Sequence, residues 1–72
     1  MIDYSPFWET LEKSSETWYT LTKVHHFSFN TLSRIKNNKD ITTKTINDFC
    51  RILKCKVQDI IKYVPSKKDQ IL

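Results

Sequence analysis

An all-α domain of five short helices is the fold class that the 72-residue sequence predicts. Three observations carry it. Apolar residues recur at three- and four-residue spacing, Ser and Thr stand just ahead of those runs, and glycine is absent altogether. Without glycine, a turn that requires positive φ must use Asn or His instead. That composition suits helices joined by short turns better than β-hairpins.

Ser5 and Pro6 read as a helix start, with Ser5 as N-cap and Pro6 at the first helical position, where its missing N–H is no loss. Phe7, Trp8 and Leu11 follow as an inward stripe, and the helix closes near Ser14 and Ser15. Thr17 caps a second helix that runs through Trp18, Leu21 and Thr22 to about Val24. His25, His26 and Phe27 interrupt the pattern, and Ser28 caps a third helix whose Leu32 and Ile35 face inward. So short a break is the spacing of a helix-turn-helix unit. Asn37 and Asn38 stop the third helix, since Asn most readily replaces glycine in the left-handed conformation. Thr42 or Thr43 caps a fourth helix carrying Ile46, Phe49, Cys50 and Leu53. A fifth helix over residues 57–62 turns Val57, Ile60 and Ile61 to the core, and Pro65 ends it. Residues 1–65 thus form one domain, and residues 66–72 a frayed tail.

Composition narrows the function classes. No run approaches the roughly 18 apolar residues of a membrane span, and the opening MIDYSPFWET has neither a basic nor an apolar leader region, so a cytoplasmic location is expected. Cys50 and Cys55 match neither a redox CxxC nor a zinc pair and read as reduced thiols, Cys50 as a small core residue. Adjacent His25 and His26 have no thiol or carboxylate at matching spacing, so they read as structural residues, with no metal and no cofactor. Glu9, Glu12 and Glu16 line one helical side as a solvated face. No nucleophile is paired with a base, and without glycine there is no phosphate loop, so the chain is not expected to be an enzyme. Charge is unevenly spread: residues 1–16 hold Asp3, Glu9, Glu12 and Glu16 against Lys13, while the remainder carries +7 of the overall balance of +4. A polyanion is the natural partner of that second part.

Taken together, Leu21, the small Thr22, Phe27 at the turn, Ser28 as cap and the run Thr31, Leu32, Ser33, Arg34, Ile35 resemble the phage-repressor kind of helix-turn-helix domain, the Cro/CI-type or XRE family. The resemblance spans residues 17–64, and the closing run ITTKTINDFCRILKCKVQDIIKYVP is similar to a small bacterial subgroup. It implies that the compact five-helix domain binds double-stranded DNA with the third helix in the major groove. Base contacts then fall to Ser28, Phe29, Asn30, Ser33 and Arg34. Phosphate contacts fall to Thr17, Trp18, Lys36, Asn37, Asn38, Lys39 and Lys44. Trp18 has a second reading, packing back on the first helix. The resemblance also implies a repressor of a phage, plasmid or other mobile element, acting as a homodimer on a pseudo-palindromic site. Val57, Ile61, Tyr63 and Val64, with Ile71 and Leu72 in the tail, are the candidate dimer patch. Trp18, Tyr19 and Phe29 leave a competing expectation, a small inhibitor or adaptor, such as a phage defence antagonist, that turns the same basic and aromatic face to a protein partner.

Overall fold

The computed structural model describes residues 1–69. Its elements run β1 (Ile2–Asp3), α1 (Ser5–Lys13), α2 (Trp18–Lys23), α3 (Phe29–Lys36), α4 (Thr43–Leu53), a single 3-10 turn (Val57–Asp59) and β2 (Lys62–Tyr63). Among the described residues the fold is therefore mostly helical, with four α-helices and a two-stranded antiparallel ribbon, and not the five-helix, all-α domain expected. Ile2 lies opposite Tyr63 and Asp3 opposite Lys62, so the ribbon zips the start of the chain to the segment after the 3-10 turn. The fifth helix fails for local reasons. Its start is a one-turn Lys56–Asp59 closure, the Asp59 carboxylate accepting the Lys56 N–H at 3.0 Å. Tyr63 and Val64 favour extended backbone, and Pro65 pushes Val64 the same way.

Caps decide the other helix starts. Thr17 and Thr20 form a reciprocal capping box: the Thr17 hydroxyl accepts from the Thr20 N–H at 3.2 Å, and the Thr20 hydroxyl accepts from the Thr17 N–H at 2.8 Å. Ser28 and Thr42 each accept the N–H three residues on, at 3.1 and 3.2 Å. Ser5 departs from its expected role. It is the first residue of α1 itself, Tyr4 holds the cap position without a side-chain bond, and the Asp3 carboxylate receives the Ser5 N–H at 3.1 Å and its hydroxyl at 2.9 Å. An acceptor two residues upstream has displaced the serine. Positive φ occurs at His26 (61°), Asn38 (55°) and Lys54 (54°), the first two where the sequence calls for a glycine substitute.

Tyr4, Phe7, Leu21, Leu32, Ile35, Phe49, Leu53 and Ile60 make the core. Phe49 is its aromatic hub, stacked on Phe27 (centroids 4.4 Å apart) and edge-on to Phe7 (4.9 Å). Several expected core residues sit further out, Leu11, Ile46 and Ile61 among them as half-buried side chains. Val57 is exposed, Cys50 only half-buried, and Trp8 lies at the rim, its ring stacked on Trp18 at 5.3 Å. Both cysteines are free, and burial pushes the Cys55 thiol up to about 11.

Candidate nucleic-acid interface

The unit α2, turn, α3 is fixed by its turn. Val24 and His25 both donate their N–H groups to the Thr20 carbonyl, at 2.9 and 3.1 Å, which ends α2. Left-handed His26 then reverses the chain, and the Phe27 N–H returns to the Leu21 carbonyl at 3.0 Å. Phe27 packs on Phe49, so the turn is anchored in the core. A polar tie adds to this. The Glu16 carboxylate accepts the Thr20 hydroxyl at 2.8 Å and the His25 Nε2–H at 2.9 Å. The Thr20 hydroxyl first, and His25 after it, hold this carboxyl below its ordinary value against partial burial, which acts the other way. Glu16 is thus half-buried and bonded, in contrast to the solvated role expected of it, whereas Glu9 and Glu12 are exposed. His25 is half-buried in the turn between α2 and α3 and reaches back to Glu16 in the link between α1 and α2, and among the described residues no group of three or more His, Cys, Asp or Glu side chains could hold a metal ion.

Helix α3 is two-faced. Leu32 and Ile35 are buried, and at about 100° per residue Asn30, Ser33, Arg34 and Asn37 radiate from the opposite side, with Phe29 and Lys36 at one border. Ser28 is committed to capping: its hydroxyl accepts the Thr31 N–H and donates to Thr31 Oγ1 at 3.0 Å. Phe29 is 74% exposed and Tyr19, on α2, 66%. The Ser33 hydroxyl accepts from Asn37 Nδ2 at 3.2 Å and keeps its own proton to donate. Asn30 is exposed and makes no side-chain hydrogen bond among the described residues. Arg34 donates its Nε–H to the Asp40 carbonyl and lines a shallow hollow with Asn30, Asp40, Thr42 and Thr45, and its two terminal amino groups make no hydrogen bond among the described residues. That carbonyl belongs to a loop held from two sides: the Lys39 N–H meets the Arg34 carbonyl at 2.6 Å, and the Tyr4 hydroxyl donates to the Lys39 carbonyl at 2.7 Å.

The residues expected at phosphates divide into free and engaged groups. Lys36 and Lys39 are exposed and form no ion pair among the described residues. Lys44 is exposed and pairs with Asp48 at 3.1 Å, one turn along α4. Asn37 donates to the Ser33 carbonyl at 2.9 Å, and Asn38 to the Ile2 carbonyl at 2.9 Å, so both amides act within the fold. Thr17 is exposed but acts as a cap, and Trp18 packs on the first helix through its stack with Trp8. Of the expected dimer patch, Val57 and Tyr63 are exposed and Ile61 and Val64 half-buried, while Ile71 and Leu72 lie outside the described residues.

Sequence reasoning missed the His25–Glu16 tie, the Asp40 carbonyl that holds Arg34, and the Tyr4 phenol behind it. The four-residue spacing of Glu16 and Thr20 could have flagged the hydrogen bond between those two but not the His25–Glu16 tie, which spans nine positions. Nothing local signals the other two, which join residues 6 and 35 positions apart.

No helix among the described residues is long and apolar enough to cross a membrane. Neither the curated proteins nor the solved structures yield a match to the chain. A family model for Cro/C1-type HTH DNA-binding domains does match, over residues 7–66, which takes in every helix from early α1 onward. With a capped, exposed third helix following a core-anchored turn, the chain belongs to the Cro/C1-type helix-turn-helix DNA-binding family.

Proposed function

We propose that the protein is a sequence-specific DNA-binding transcriptional repressor of the cytoplasm that inserts the first turns of α3 into the major groove. The observation that carries this reading is the division of α3, with Leu32 and Ile35 committed to the core and Asn30, Ser33 and Arg34 left outward as polar groups suited to base edges. Asn30 matches the N6 and N7 of adenine. Arg34, with its Nε held by the Asp40 carbonyl, meets guanine O6 and N7 end-on through its terminal amino groups. Ser28 and Ser33 stand beside them, Ser28 chiefly fixing the helix end against the bases. Lys36 and Lys39, assisted by Lys44, by Thr17 and by the Trp18 indole N–H, meet phosphates, with Asn37 and Asn38 shaping the loop that carries them.

One module of this size buries about 600–1,000 Å² on DNA, which favours a homodimer on two half-sites. Val57, Ile61, Tyr63 and Val64 are the surface for that contact, and a mobile element such as a phage or plasmid is the setting in which so small a repressor fits. Residues 1–65 constitute the domain and 66–72 its tail. Selection of bound fragments from a random DNA pool at moderate salt tests the reading. Enrichment of a defined, two-fold symmetric sequence supports it, and recovery of unbiased DNA contradicts it.

The exposure of Tyr19 and Phe29 favours a second reading, a small inhibitor or adaptor that docks on a protein through this face. No DNA binding at low salt, together with a stoichiometric protein partner on purification, supports that alternative. A protected operator in a footprint excludes it.

A further inference from the structure

Phe29 is the first residue of α3 and, among the described residues, the most exposed of the large apolar side chains, at 74%. Among the described residues its ring enters no aromatic pair and belongs neither to the core nor to the side chains packed against it. The inward positions of α3 belong to Leu32 and Ile35, the cap to Ser28, and the aromatic contacts of the core to Phe7, Phe27 and Phe49. Its neighbours along the outer face, Asn30 beside it and Ser33 one turn on, are polar and exposed. An apolar ring therefore stands among hydrogen-bonding groups at the end of the helix that leads into the groove. Ring carbons gain nothing from the donors and acceptors of a base edge. The major groove offers one apolar group, the C5 methyl of thymine, and it occurs in the same A·T pair whose adenine an Asn side chain can read.

We propose that Phe29 is a specificity-determining residue that covers a thymine methyl, so that the site bound by this protein carries a thymine beside the pair contacted by Asn30. The inference rests on the proposed reading of α3 as the recognition helix. Covering the ring removes apolar area from both partners, and replacing thymine by cytosine or a purine leaves it in water or against a polar edge.

The test uses the full chain and the sequence enriched in the selection described above. Each thymine is replaced in turn by deoxyuridine, which deletes the methyl and leaves every hydrogen-bonding group in place, and binding is followed by fluorescence anisotropy. At one thymine per half-site the wild type should weaken by about fourfold, the equivalent of one buried methyl. Phe29→Ala should weaken on the thymine site and become indifferent to deoxyuridine at that position alone. Because the ring supports neither core nor cap, the variant keeps its helical circular-dichroism spectrum and melting temperature. A wild-type protein that selects a sequence yet is indifferent to deoxyuridine at every thymine overturns the inference and leaves the DNA reading standing. So does a Phe29→Ala variant that keeps the deoxyuridine effect. Enrichment of no sequence, or tight binding of Phe29 to a protein partner in place of DNA, overturns both.

Discussion

His26, Asn38 and Lys54 share a left-handed backbone without being alike. In an L-residue that conformation costs about 1–2 kcal/mol, part of which glycine recovers. Lys54 is exposed and closes α4, and its side chain makes no hydrogen bond or ion pair among the described residues, so Lys54→Gly should stabilise the fold by up to about 1 kcal/mol in urea denaturation. Asn38→Gly should gain less or lose, because its amide holds the Ile2 carbonyl. Glu16 makes a prediction of a different kind. Its folded-state carboxyl lies below the ordinary value of 4.5. Its contribution to stability is therefore complete above that value and is lost as pH falls through the lower, folded one. Glu16→Gln should flatten the acid limb of the stability profile below about pH 5, as read by thermal melting.

At the scale of elements, the three helices that carry the interface begin on true caps, and α1 does not. Thr17→Ala, Ser28→Ala and Thr42→Ala should each destabilise by about 1 kcal/mol, and Ser5→Ala by less, since Asp3 still receives the Ser5 N–H. Chemical denaturation of the four variants checks the order. These caps were legible because a cap is local: a hydroxyl and an N–H three residues on suffice. The Asn38 and His26 turns were legible for the same reason, the lack of glycine leaving few substitutes. Helix-like spacing of Val57, Ile60 and Ile61 misled, since a buried Ile60 just after a 3-10 turn gives the same short apolar pattern as a helix, and strand pairing with Ile2 and Asp3 is invisible without knowing that the two segments meet. On α3 the split between core and outer face was readable from periodicity. What holds Arg34 was not, because a backbone carbonyl leaves no mark in the sequence.

At the scale of the whole molecule, a small core supports the interface through one aromatic side chain. Phe49 is fully buried and touches Phe27 in the turn and Phe7 in α1, so it joins the reading unit to the rest of the fold. Phe49→Ala should lose about 3–5 kcal/mol, comparable to the whole stability of a domain this small, and calorimetry should show a broadened or absent transition at room temperature. The uneven charge acts at the same scale. The segment from residue 17 onward carries the excess of lysine and arginine, and Lys36 and Lys39, at and just past the end of α3, form no ion pair among the described residues, the arrangement on which the proposed contact with DNA phosphates rests.

Affinity and selectivity should accordingly separate, and a competition titration measures both. Wild type and an Asn30→Ala/Arg34→Ala variant are titrated against the selected DNA site and a shuffled sequence of equal composition, over a series of salt concentrations. The wild type should prefer its site by at least about a thousandfold, and the variant should lose most of that preference while keeping the salt dependence set by Lys36, Lys39 and Lys44. A variant that retains full preference, or a wild type that binds both sequences alike, would contradict the assignment of α3 as the helix that reads DNA.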